Sequence, residues 1–160
     1  MTLEMFLADA EATDLLGRQL ARALPERAIA YLRGELGAGK STLARALLRE
    51  LGVSGAIKSP TYTLVERYVL PAGEAAHLDL YRIAESGELD FLGLDDLAAQ
   101  ARLWLVEWPE RGGESLPPAD LDIALDLSGA GRRARLQSRS PAGEAWLAGL
   151  SKLAALGASS

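Results

Sequence analysis

Between Ala28 and Leu51 the chain passes from strand to turn to helix in a way that few architectures accommodate. The run Ala28-Ile-Ala-Tyr-Leu32 is continuously apolar, the pattern of a strand buried on both faces of a parallel sheet. Gly34-Glu-Leu-Gly-Ala-Gly39-Lys40-Ser41 follows at once, and a helical segment over about 40–51 comes next. Leu43, Leu47 and Leu51 form one stripe of that helix, Arg45, Arg49 and Glu50 lie elsewhere, and Gly52 stands at the C-cap position. A buried parallel strand needs neighbours on both sides and helices on both faces, so this succession predicts an α/β fold.

The turn itself fits G-x-x-x-x-G-K-[ST], the P-loop pattern, and it has the strand before it and the helix after it that the pattern requires. Glycines 34, 37 and 39 let the backbone adopt positive φ and curl N–H groups around an anion, to which the helix adds the positive end of its dipole. Gly37, Ala38 and Gly39 then supply amides to the phosphates, and Lys40 reaches the β- and γ-phosphates. The Ser41 hydroxyl is a ligand for Mg²⁺, and Thr42 is placed to donate to the α-phosphate. No Asn-Lys-x-Asp segment is present to read guanine, so the expected nucleotide is ATP with Mg²⁺ rather than GTP.

Such a site needs a carboxylate near the metal, usually at the end of a neighbouring strand, and two stand out. Glu107 ends the apolar strand Arg102–Trp108 and is placed to hold Mg²⁺ directly or through water. Asp79 lies in the alternating strand Ala76–Tyr81 and is placed to orient or deprotonate the attacking water. Which of the two activates water stays open at this level. His77, the only histidine, reads as a packed or exposed ring rather than a catalyst. Trp104 and Trp146 read as core, and Trp108 as lining either the site or a partner surface.

The remaining chain reads as a strand over 2–7, a helix over 11–24 stopped by Pro25, and a Pro-containing loop Lys58–Tyr62. Thr63–Leu70 pairs with Ala76–Tyr81 as an antiparallel hairpin turning at Pro71–Gly73. A partly polar helical stretch over 85–100 is divided by Gly93, with Asp95 and Asp96 charging or capping its second part. A final hairpin joins Asp120–Leu127 to Ala134–Ser140 at Gly129–Gly131, and a helix over 142–155 puts Trp146, Leu150 and Leu153 on one face. The expectation is therefore one domain over residues 1–160, with a mainly parallel central sheet, antiparallel hairpins and flanking helices.

Composition narrows the function. A formal charge of −5 argues against a protein that grips nucleic acid unaided, since phosphate neutralisation supplies most of that affinity. The one local basic cluster, Arg132, Arg133, Arg135 and Arg139, reads as a solvated strand. No apolar run approaches a membrane span, and the acidic start lacks the basic opening of a secretory signal. Without cysteine there are no disulfides, zinc ribbons or thiol nucleophiles. The expected setting is cytoplasmic.

Six segments, in order and spacing, resemble the TsaE family: GELGAGKST at 34–42, KSPTYTLVE at 58–66, HLDLYR at 77–82, ELDFLGLD at 88–95, LVEWPER at 105–111 and LPPADL at 116–121. The resemblance runs over roughly residues 10–140. It implies a compact P-loop fold, Mg²⁺-dependent ATP binding and weak ATPase activity. It also implies assembly with TsaB-like and TsaD-like partners that modify tRNA adenosine beside the anticodon, so that tRNA is met only through them. By the same resemblance Thr61 belongs to a switch near the γ-phosphate, Asp79 and Glu107 are the functional carboxylates, and either Arg132 or Arg133 contacts the nucleotide. Glu35, Ser41 and Leu78 replace the family's more usual Asp, Thr and Phe without removing a required group, and the tail after Pro141 matches poorly. Two rivals are a small-molecule P-loop kinase, for which no lid-length insertion is evident, and a non-hydrolysing scaffold in which ATP alone joins partners.

Overall fold

The computed structural model describes residues 1–158; Ser159 and Ser160 of the expected domain lie outside them. Strand β1 (Thr2–Leu7) leads to helix α1 (Ala10–Arg22), whose N-terminus is capped by Asp9 accepting from the Ala12 amide. Strand β2 (Ala28–Arg33), the glycine turn and helix α2 (Lys40–Glu50) follow. Then come β3 (Val65–Leu70), β4 (Gly73–Asp79), the short helix α3 (Leu94–Gln100) and β5 (Ala101–Glu107). The chain closes with β6 (Leu121–Ser128), β7 (Gly131–Ser138) and α4 (Pro141–Ala158). Single 3₁₀ turns lie at Ser86–Phe91, Pro109–Arg111 and Gly113–Ser115. No helix among the described residues is long and apolar enough to cross a membrane.

All seven strands join one sheet in the order β1-β7-β6-β2-β5-β4-β3. The four central strands, β6, β2, β5 and β4, are mutually parallel, and antiparallel pairs flank them at both edges. This is the mainly parallel α/β sheet with edge hairpins that the apolar runs predict.

Alternation along each strand divides the core in two. One cluster gathers Ala30, Leu32, Leu103, Leu105, Ile123 and Leu125 from the sheet against Leu16 and Leu20 of α1, Leu43 and Leu47 of α2, and Trp146 of α4. The other gathers Ala76, Leu78, Trp104 and Val106 against Leu89, Leu97 and Leu116 on the opposite face. Trp104 and Trp146 are thus both core, one on each face. Helix α1 crosses α2 at Gly17, where an added Cβ would lie 2.7 Å from both the Ala46 Cβ and the Leu43 carbonyl oxygen. The tail helix packs on β7 and α1, with the Trp146 indole donating to the Leu20 carbonyl at 2.9 Å. Trp146 and Leu150 are buried, whereas Leu153 is only partly so.

Several boundaries differ from the sequence reading. Both hairpins close on two residues, because Leu70 pairs with Gly73 and Ser128 with Gly131. Gly73 and Gly131, read as turn residues, are therefore the first residues of β4 and β7, and β4 ends at Asp79 rather than Tyr81. Thr63 and Leu64 are not in β3: the Leu64 amide donates to the Pro60 carbonyl at 2.8 Å and Leu64 has φ 70°, so the loop makes one more turn before pairing begins. Helix α1 ends at Arg22, two residues short of the expected end, and α4 runs on to Ala158. Asp95 and Asp96 charge the first turn of α3 but do not cap it; Gly93 holds that position.

Candidate functional site

The glycine turn leaves β2 at its C-terminal end, where an open α/β sheet presents its crevice. Gly34 has φ 147° and its ideal Cβ would stand 2.4 Å from the Leu125 carbonyl oxygen of β6, so only glycine lets the turn leave the sheet here. Gly39, at φ 106°, holds the N-cap position of α2 without any side-chain cap, which leaves the first amides of the helix for a ligand.

Lys40 is only 5% exposed. Its Nζ donates to the Gly34 carbonyl at 2.6 Å, lies 4.1 Å from the Trp108 ring centroid and stands 4.0 Å from Glu107 Oε1. Burial lowers its pKa, an effect opposed by Glu107, Asp79, Glu110 and Glu35. A buried ammonium within its own glycine loop is a group that an anionic ligand would stabilise.

The two carboxylates are 5% and 6% exposed, for Glu107 and Asp79 respectively. They are register partners across β4 and β5, and Glu107 also faces Leu32 of β2. Both therefore leave the sheet on the face that carries α2, as residues in register do. Asp79 accepts from the Tyr81 amide at 3.0 Å through Oδ1 and from the Thr61 hydroxyl at 3.4 Å through Oδ2. Thr61 shares a further hydrogen bond with Ser59 at 2.7 Å. The Ser59–Thr61 loop is thus tied to one of the two acids, although only through hydroxyls.

His77 was not legible as part of this group. Its Nε2 lies 2.6 Å from Glu107 Oε2, and it is 4% exposed, with Nδ1 buried and without a hydrogen-bond partner. One signal was present in the sequence: His77 and Asp79 are two apart on a strand and so share a face. What the sequence lacked was the neighbour, since only the pairing of β4 with β5 brings Glu107 beside them.

Trp108 has φ 56° and ψ 50°, a left-handed conformation that costs a non-glycine residue roughly 1–2 kcal/mol. It turns the chain sharply after Glu107 and lays the indole between Lys40 and Tyr81, whose ring is 5.1 Å away. Trp108 therefore lines the site, one of the two readings left open above.

The two arginines at the start of β7 separate. Arg132 bonds the loop itself: Nε donates to the Ala38 carbonyl and Nη2 to the Gly37 carbonyl, each at 3.1 Å, while Nη1 donates to Gly131 at 3.0 Å. Arg133 is exposed, in register between Phe6 and Asp126. A cavity of about 210 Å³ opens beside the loop, bounded by Asp9, Thr13, Gly37, Gly39, Thr42 and Arg132. A smaller recess of about 40 Å³ lies on the other side of α2, among Ser41, Arg45, Lys58, Ser59 and His77.

The donor set suits Mg²⁺: hard oxygens from a hydroxyl and buried carboxylates. Among the described residues no group of three or more acids or histidines is arranged to hold a metal ion.

Comparison with known proteins bears on the family to which the chain belongs. The family described as "Threonylcarbamoyl adenosine biosynthesis protein TsaE" matches residues 7–135. The tRNA threonylcarbamoyladenosine biosynthesis protein TsaE of Haemophilus influenzae is 38% identical over 148 residues, covering 89% of this chain and 94% of that protein. Its counterpart in Synechocystis is 43% identical over 114 residues, covering 69% and 72%. The crystal structure of YdiB from Bacillus subtilis superposes with a TM-score of 0.80 at 25% identity, covering 95% of each chain. A family match over most of the sequence, joined to a relative 38% identical along nearly its whole length, means that the chain belongs to the TsaE family.

Proposed function

We propose that this protein binds ATP with Mg²⁺ at the Gly34–Ser41 turn and hydrolyses it slowly, as an accessory switch in the threonylcarbamoyl modification of tRNA adenosine. The observation that carries the reading is Lys40: a buried ammonium inside its own glycine loop, 4.0 Å from an equally buried Glu107. That cation donates to the Gly34 carbonyl at 2.6 Å. A triphosphate offers it a stronger, charge-assisted partner.

Each residue then has a task. The amides of Gly37, Ala38 and Gly39 and the first turn of α2 receive the phosphates, with Lys40 on the β- and γ-groups and Thr42 on the α-group. The cavity beside Thr42 takes the nucleoside. Ser41 and Glu107 would hold Mg²⁺, which supplies charge neutralisation at the β- and γ-oxygens. Asp79, already bonded to Thr61, orients the attacking water, and the Ser59–Thr61 loop moves with the state of the γ-phosphate. Among the described residues none stands out as a group that could transfer threonylcarbamoyl, which supports an accessory role beside TsaB-like and TsaD-like partners that hold the tRNA. A net charge of −5 favours the same division of labour.

The test is titration calorimetry of ATP with Mg²⁺ against the native protein and Lys40→Ala. We expect affinity to fall at least 100-fold in the variant; equal affinity in the two proteins would refute the site.

A further inference from the structure

A loop of peptide N–H groups holds an anion only if its carbonyls point away, and carbonyls that point away need something to hold them. Here one side chain does so. Arg132 stands at the start of β7, 94 residues beyond Ala38 in sequence, and its guanidinium meets two consecutive carbonyls of the loop, Gly37 and Ala38, at 3.1 Å each. Its third nitrogen is fixed on its own strand, at the Gly131 carbonyl. A trans peptide sets its N–H opposite its C=O, so fixing the Gly37 and Ala38 oxygens fixes the directions of the Ala38 and Gly39 N–H groups. Within the loop the Ala38 N–H closes a turn on the Glu35 carbonyl at 3.1 Å, and Gly37 and Gly39 both have positive φ, at 84° and 106°. A stretch with two such glycines has many conformations to choose from, and the planar fork of an arginine is the side chain that selects one across two acceptors.

We infer that Arg132 is a positioning residue: it clamps the outer carbonyls of the phosphate loop to the β6–β7 hairpin and does not itself contact phosphate. Each of its three nitrogens donates to a main-chain oxygen, which takes three of its five N–H bonds and holds the guanidinium on the carbonyl side of the loop, so that swinging it onto a phosphate would release the loop. The inference rests on the ATP reading for its binding consequences but not for its structural one.

The experiment uses Arg132→Lys and Arg132→Gln with two readouts. Hydrogen exchange at residues 37–39 is measured without nucleotide, alongside the global denaturation midpoint. Affinities for ADP and for ATP are measured by calorimetry. A clamp predicts exchange at the loop faster by about tenfold or more in both variants while the midpoint holds, and ADP and ATP weakened by the same factor, because the amides cradle the α- and β-phosphates common to both. It also predicts that lysine fails to rescue, since one ammonium cannot present a two-pronged fork. Full rescue by lysine, or a loss confined to ATP, would identify a phosphate ligand and overturn the inference. Unchanged exchange in the nucleotide-free loop would overturn it as well. If the native protein binds neither nucleotide, the ATP reading fails, and the exchange arm still decides the clamp.

Discussion

Replacing Gly17 with alanine should destabilise the protein, although alanine is the better helix former. The new methyl would sit 2.7 Å from the Ala46 Cβ and 2.7 Å from the Leu43 carbonyl oxygen, against ordinary contact at 3.4 Å or more. Each neighbour would have to give by ~0.7 Å in an interior packed near crystal density. Neither can swing aside: one is a methyl fixed to α2, the other is the backbone of α2. Helix propensity returns about 1 kcal/mol, and overpacking against rigid atoms costs up to about 3 kcal/mol. The net loss is about 1–2 kcal/mol, which for a chain of this length lowers Tm by roughly 2–8 °C. Thermal and urea denaturation of the nucleotide-free protein measure it. Because α2 carries Lys40 and Ser41 at its first turn, the same displacement should weaken ATP binding several-fold. A variant melting at or above the native temperature would show that the α1–α2 crossing is not limited by the missing side chain, and the reasoning would fail.

Two further outcomes follow from the hydrogen bonds. Tyr31 donates its hydroxyl to the Pro117 carbonyl, pinning the loop before β6 to β2, and burial raises its pKa from 10.0, with Asp122 adding to the effect and Arg33 opposing it. A raised acid contributes fully below pH 10.0 and loses that contribution as pH climbs through the folded value. Tyr31→Phe should therefore cost about 0.5–1.5 kcal/mol at neutral pH, with the gap to the native protein narrowing above pH 10 in urea titrations; a gap independent of pH would contradict the assignment. His77→Phe should remove the partner of Glu107 Oε2, costing about 1–3 kcal/mol of stability and reducing the gain in ATP affinity that Mg²⁺ confers, whereas His77→Gln should retain part of both. Calorimetry with and without Mg²⁺ reads this, and a phenylalanine variant equal to the native protein in both measures would dismiss the pair.

What the sequence made legible was local. Strand, glycine turn and helix are contiguous from Ala28 to Glu50, and each signals itself through hydrophobic period, backbone freedom or capping. The acids were recoverable because each ends or nearly ends an apolar strand, although their adjacency was not: it depends on β4 lying beside β5, and strand order leaves no mark on a single segment. The surroundings of Arg132 and His77 were hidden for the same reason. A lone arginine on an alternating strand looks solvated, and a lone histidine looks packed, until a partner distant in sequence is placed against it. Gly73 and Gly131 misled in another way. They read as turn residues, yet two-residue hairpins leave them as the first paired residues of their strands.

The sheet's order gives the site a dependence that its motif alone does not have. Lys40 follows β2, Glu107 ends β5, Asp79 ends β4, and Arg132 opens β7, so four strands must meet in one alignment before the group exists. Slipping β5 by a single residue would turn Glu107 through the sheet to the side lined by Leu78 and Val106, while every letter of the glycine motif stayed in place. On the ATP reading proposed above, affinity for a triphosphate would gauge whether the long-range assembly of the chain has finished correctly, and a misaligned population would betray itself as a fraction of molecules blind to nucleotide.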